Sequence, residues 1–138
     1  MFKVKVIAQG QCKESWLLKA LGEYEKRLRG KLSLEWVVAL REEELIQKTL
    51  AEKQVIALDL HGTSLSSEAF SQKLFLSWGS RPVFVIGGPD HLPSKIAQHA
   101  HFRWSLSSLT FTHQMVRLLL VEQLYRALEI EQGGKYHK

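Results

Sequence analysis

Apolar and polar positions change rhythm several times along this chain, and each change marks an element. Residues 2 to 8 alternate and are rich in β-branched side chains, which predicts a half-buried strand. Gln9-Gly10-Gln11 interrupts it. From residue 14 to 29 the interval lengthens. Trp16, Leu17, Ala20, Leu21, Tyr24 and Leu28 recur at helical spacing, and Gly30 is a stop. Leu32 to Leu40 reads as a second strand, and Arg41 to Lys53 as a charged helix with Leu45, Ile46, Thr49 and Leu50 on one face. Two short apolar runs follow, Val55 to Leu60 ending at His61-Gly62, and Pro82 to Ile86 ending at Gly87-Gly88-Pro89. Continuous hydrophobicity of this length fits strands covered on both faces. Between them, Ser66 is predicted to cap a helix that reaches Trp78-Gly79, with Glu68 in its first turn. The remaining pattern predicts a short helix after Pro93, a strand from Phe102 to Leu106 and a long helix from Thr112 to Gln132.

Strands and helices thus alternate, which predicts an α/β fold with a mostly parallel sheet and helices on both faces. No repeat or linker divides residues 1–138, so one domain is expected. Open parallel sheets bind ligands beyond the carboxyl ends of their strands. Three such ends are candidates: Leu58-Asp59, Ile86-Gly87-Gly88, and Leu106 onward. Gly87 and Gly88 lack a Cβ, so a ligand can approach their backbone; a tight turn needing positive φ explains them equally well. The loop Ser105-Leu106-Ser107-Ser108-Leu109-Thr110-Phe111 has the small hydroxyl and aliphatic side chains that wrap a flat apolar ring, and is also an ordinary capped helix start. In the last helix Met115, Val116, Leu118, Leu119, Leu120, Val121, Leu124, Leu128 and Ile130 cover over half the circumference. Burial on two sides follows, one of them a dimer interface or else both within a monomer core. Arg117 lies one turn into that helix, where a carboxylate or phosphate partner is expected if it is buried. Glu122 and Arg126 read as a simple i,i+4 surface pair. After Gly133-Gly134 the tail offers a cation, a phenol and an imidazole in Tyr136, His137 and Lys138.

The totals narrow the choice. Hydrophobic residues form 45% of the 138, enough for a core, and a net charge of +5 favours an anionic partner without requiring one. Cys12 is the sole cysteine, so neither an intramolecular disulfide nor a cysteine zinc site is available, which suits a reducing cytoplasm. No stretch reaches the ~20 apolar residues of a membrane span, and the opening alternates too strongly for a signal peptide. A soluble cytoplasmic protein is expected. The chain has no G-x-G-x-x-G, P-loop, nucleophile elbow or H-E-x-x-H. Of six histidines only His99 and His101 are close, without a third ligand, so no metal is expected and both are read as solvated.

Several of these segments together are specific. Phe84-Val85-Ile86-Gly87-Gly88-Pro89-Asp90, the 105–111 loop, His113-Gln114-Met115-Val116-Arg117, Glu122-Gln123-Leu124-Tyr125-Arg126-Ala127 and the terminal Tyr136-His137-Lys138 resemble the ribosomal RNA large subunit methyltransferase H family. The likeness extends through Ala57-Leu58-Asp59, Leu65-Ser66-Ser67-Glu68 and the Glu23 to Leu28 helix, so it covers nearly the whole chain. It implies a SPOUT-type α/β knot, in which the C-terminal segment threads a loop into a trefoil, and a homodimer. It also implies S-adenosyl-L-methionine as cofactor and methylation at N3 of a pseudouridine in large-subunit (23S) ribosomal RNA on assembled ribosomes. By position, cofactor contacts fall on Leu58, Gly87, Gly88 and Leu106, Ser107, Ser108, Leu109, Thr110 and Phe111. Tyr136, His137 and Lys138 would reach the other subunit's cofactor pocket and hold the substrate base, with Gly133-Gly134 as hinge and His113 beside the base. Among catalytic candidates, His137 is the titratable group best placed to help the N3 proton leave, and Arg117 or Lys138 to steady the anion or grip phosphate. Two departures stand out: Thr112 replaces a usual proline before His113-Gln114, and the 41–53 stretch is short, which bears on ribosome docking. A ribosome-binding module without activity and an unrelated small nucleotide-binding enzyme are the rival readings.

Overall fold

A computed structural model describes residues 1–138. Five strands form in chain order, β1 (Phe2–Gln9), β2 (Leu32–Ala39), β3 (Val55–Ser64), β4 (Val83–Ile86) and β5 (Phe102–Ser105). Between and after them come α1 (Ser15–Leu28), α2 (Glu42–Leu50), α3 (Ser67–Gln72), α4 (Ser94–His99) and α5 (His113–Gln132). The sheet has the order β2-β1-β4-β3-β5, and every neighbouring pair is parallel.

The strand pattern sorts side chains onto two faces. In β1, Val4, Val6 and Ala8 join one core while Ile7 joins the other; in β4, Phe84 and Ile86 oppose Val83 and Val85. The larger core lies under α1, α3 and α5, and the smaller one under α2 and α4. All four β4 residues are buried, which explains a run too apolar to alternate. Aromatic rings fill the larger core, with Phe70 stacked on Trp104 at 4.3 Å between ring centroids.

Two elements depart from the expected ones. The helix that Ser66 caps is α-helical only to Gln72 and continues as a π-helical stretch, Lys73–Ser77. β3 does not stop at Leu60: it runs on to Ser64, and its pairing with β5 shifts register between Leu58 and Thr63. Gly62 sits within that irregularity. A Cβ there would lie 2.5 Å from the Arg103 carbonyl oxygen, so only glycine lets the two backbones cross so closely.

Candidate active site

Because the sheet is parallel, all five strands end on one edge. The order β4-β3-β5 makes the three candidate strand ends immediate neighbours. Between them opens a cavity of about 560 Å³. Leu58 enters it from β3, Gly87 and Gly88 from the turn after β4. Leu106, Ser107, Leu109, Thr110 and Phe111 form the facing wall, and His113 and Val116 close it from the first turns of α5. Ser108 alone among the expected cofactor contacts does not line it. Asp59, at a strand end singled out from sequence, also lines it; His61, Asp90 and His91 are wall residues to which sequence assigned no role.

Local chemistry shapes these walls. Ser105 Oγ donates to the Ser107 carbonyl (3.0 Å), and the Leu109 N–H donates to Ser107 Oγ (3.0 Å), so the loop is folded by its own hydroxyls. Thr112 Oγ1 accepts from the Met115 N–H at 3.2 Å and caps α5. Neither Gly87 nor Gly88 has positive φ, so the tight-turn explanation does not apply to them. A Cβ on Gly87 would meet nothing nearer than Leu92 at 3.8 Å, which leaves the backbone open to the cavity; one on Gly88 would strike the Gln9 side chain at 2.8 Å. Asp59 is held from two sides, by the His61 N–H (3.0 Å) and by Arg103 Nη1 (3.1 Å). Burial holds the His113 imidazole below its usual pKa, aided by the Arg117 charge, so it is neutral at neutral pH.

Arg117 does not meet an acid. It is 2% exposed, and Nη2 donates to two main-chain carbonyls, Gln9 at 2.8 Å and Gly10. The expectation of a carboxylate or phosphate partner gives way here: carbonyls at the end of β1 are what α5 lies against. Nε has no partner, and burial lowers the guanidinium pKa. Arg117 lines a different hollow of about 380 Å³, together with Cys12, Leu18 and Val38, and not the strand-end cavity. His99 likewise is no solvated side chain; its Nε2 donates to the Glu52 carbonyl at 2.6 Å.

The tail lies away from its own chain's cavity. Gly133 takes φ 72°, and the N–H groups of Gly133 and Gly134 return to the carbonyls of Ile130 and Glu129. The Gly-Gly pair is therefore a hydrogen-bonded helix stop and not a free hinge. Tyr136 Oη donates to Glu122 Oε2 at 2.6 Å and lies 3.2 Å from the Tyr24 hydroxyl. Burial, then these hydrogen bonds, raise the phenol's pKa. Arg126 Nη2 donates to the same Glu122 oxygen (2.8 Å), and its Nη1 reaches His137 Nδ1 (3.1 Å). His137 Nε2 contacts Glu68 Oε2 at 3.1 Å, and that bond chiefly holds the Glu68 carboxyl below its ordinary pKa. Lys138 is exposed. Glu122 and Arg126, read from spacing as a plain surface pair, thus bind the tail. Their i,i+4 spacing is visible in sequence; the tail residues they serve are not.

No group of three or more His, Cys, Asp or Glu side chains is arranged to hold a metal ion, and no helix is long and apolar enough to cross a membrane. Residues 2–137 match the family described as "Predicted SPOUT methyltransferase". A structure described as a probable methylase family protein from Haemophilus influenzae Rd KW20 superposes with a TM-score of 0.62 at 10% identity, covering 98% of this chain and 70% of that one. The chain is thus a SPOUT methyltransferase by class. More closely, it is 44% identical to the ribosomal RNA large subunit methyltransferase H of Protochlamydia amoebophila (strain UWE25), over 100% of both chains. Its identity to the protein of that name from Prochlorococcus marinus (strain MIT 9313) is 40%, over 97% of this chain and 95% of the relative. The chain belongs to the ribosomal RNA large subunit methyltransferase H family.

Proposed function

We propose that this chain is a cytoplasmic homodimer that uses S-adenosyl-L-methionine to methylate N3 of a pseudouridine in large-subunit (23S) ribosomal RNA on assembled ribosomes. The observation that carries the reading is the strand-end cavity, built from the same segments that match the family. Its residues fit the cofactor. A volume of about 560 Å³ is in the range of small-molecule sites. Leu58, Leu106, Leu109 and Phe111 supply apolar surface for an adenine ring, and the uncovered Gly87 backbone supplies peptide groups for its polar edge. When bound there, S-adenosyl-L-methionine supplies an electrophilic methyl group on a sulfonium.

The chain's own residues do the rest. Neutral His113 borders the cavity without adding a second cation beside a sulfonium. Tyr136, His137 and Lys138, delivered by the partner copy, hold the base and stabilise the charge left on it as the N3 proton departs. Lys138 is free to grip phosphate. Arg117, outside the cavity, enters as a positioning residue that ties the first turns of α5 to the end of β1. Most of the rate gain is alignment of the two reactants. A dimer face is supported by Trp16 (53% exposed) and Leu18 (50%), and by Leu18 and Val38 lining the second hollow. The trefoil knot is proposed for the segment from β4 through α5. The net charge of +5 suits an RNA partner.

The test is direct. Ribosomes lacking the modification are incubated with protein and methyl-labelled cofactor, and mass spectrometry locates the label; label on N3 of a large-subunit pseudouridine is expected, and its absence rejects the reading. His137→Ala should lower methylation about 10²-fold while calorimetry still finds the cofactor bound. A variant that loses the cofactor and keeps its turnover at saturation would refute the tail's role.

A further inference from the structure

Resting on the tail role assigned above, we propose that Arg126, braced by Glu122, is a positioning residue that fixes His137 in its Nε2–H form. The tail then presents an N–H donor to a carbonyl oxygen of the substrate base, and not a lone pair to the N3 proton. The hydrogen bonds around the ring require that tautomer. A guanidinium has donors and no acceptor, so a contact between Arg126 Nη1 and His137 Nδ1 at 3.1 Å makes Nδ1 the acceptor. The ring proton of a neutral imidazole then sits on Nε2, which lies 3.1 Å from Glu68 Oε2 and donates to it.

The two contacts differ in firmness. Arg126 is anchored through Nη2 to Glu122 Oε2 (2.8 Å), and the Tyr136 hydroxyl bonds the same oxygen (2.6 Å). The guanidinium also lies 4.7 Å from the centre of the Tyr136 ring, so phenol, guanidinium and carboxylate fix one another. Glu68 is the loose partner: its side chain is 65% exposed and has no second bond to the tail. A substrate oxygen can therefore replace Glu68 on Nε2, whereas replacing Arg126 on Nδ1 would break the whole clamp. For His137 to accept a proton on Nε2, its own proton would have to move to Nδ1, where Arg126 already points a donor.

The chemistry of the base suits a donor. Loss of the N3 proton spreads negative charge over the two flanking carbonyl oxygens of a uracil ring. An N–H aimed at one of them, backed by a cation on the ring's far side, stabilises that anion as it forms. The proton itself passes to water. Glu122 and Arg126 thus act through His137 and touch neither reactant, while Glu68 occupies Nε2 only until the base arrives.

Nuclear magnetic resonance of the labelled His137 ring nitrogens tests the tautomer at alkaline pH, where imidazoles are neutral. A protonated Nε2 and a bare Nδ1 are expected in the intact protein, shifting toward a tautomer mixture in Arg126→Leu. In the same variant kcat should fall about tenfold with cofactor affinity unchanged, and Arg126→Lys, which keeps a donor, should recover most of it. A protonated Nδ1 in the intact protein overturns the proposal, as does full kcat in Arg126→Leu. The two readings fail separately. Undiminished methylation by His137→Ala defeats the tail's role itself, whereas a loss there with no loss in Arg126→Leu defeats only the clamp.

Discussion

At the scale of single residues, two glycines with no side chain to inspect make opposite demands. Gly62 faces backbone: its Cβ would lie 2.5 Å from Arg103 O and 2.9 Å from the Trp104 nitrogen. Neither atom can turn aside without breaking the β3–β5 pairing. Gly62→Ala is expected to cost about 1–3 kcal/mol, read as a lower denaturation midpoint with unchanged slope. Gly88 faces the Gln9 amide, the far end of a flexible side chain, so Gly88→Ala should cost well under half of that. Equal losses at the two sites would mean that steric crowding by backbone is not what selects glycine at 62. His113 makes a demand on pH. Its folded pKa is depressed below the ordinary 6.5, so below that value the unfolded chain binds the extra proton and the folded one resists it. Stability is therefore fully present above about pH 6.5 and declines as pH falls toward the folded pKa. Thermal unfolding of His113→Gln should show a shallower decline across that window than the parent; identical profiles would remove burial of this imidazole as the cause.

At the scale of elements, two helix starts legible in sequence are fixed by a capping residue. Ser66 and Thr112 each accept an N–H three residues on, and α3 and α5 begin where those side chains place them. Thr112→Ala should cost about 1 kcal/mol, and because the cap lies in the cavity wall it should also weaken cofactor binding; calorimetry and unfolding together measure both. A stability loss with unaltered affinity would show that the cap holds the helix without shaping the wall. The β4 strand was legible because all four of its residues are buried. The end of β3, His61 to Ser64, was not. Those residues read as the close of the strand, and they stay in the sheet because Thr63 and Ser64 pair with Trp104 and Ser105 of β5, next to the Asp59–Arg103 bond across 44 residues of sequence. Local propensity has no view of such a partner. The same holds for Arg117, whose burial against carbonyls 107 and 108 residues away decides its partners, and for the Glu122–Arg126 pair, which looks generic until the tail folds onto it. Gly87 and Gly88 state their lack of a side chain openly in sequence, and the structure places both at the cavity.

At the scale of the whole molecule, the fold divides the chemistry between two places. The cavity sits at the ends of β3, β4 and β5, while Tyr136 and His137 are clamped on a surface built from α1, α3 and α5. One chain in this arrangement has the strand-end cavity without a tail beside it, and a tail without a cavity. In the proposed two-fold dimer each tail would reach the other copy's cavity, and it would do so twice. Subunit mixing tests this. Gly87→Trp fills the open space before that backbone and disables the cavity while keeping the tail; His137→Ala disables the tail while keeping the cavity. Each homodimer should be nearly inactive. After exchange of equal amounts, half of the dimers are mixed, and each mixed dimer unites one intact cavity with one intact tail. Recovery should therefore approach roughly a quarter of the parent's activity, with the cofactor sites half occupied. If sedimentation shows the mixed dimer formed and no activity returns, each tail serves its own chain, and the clamp must release it before the base can be held.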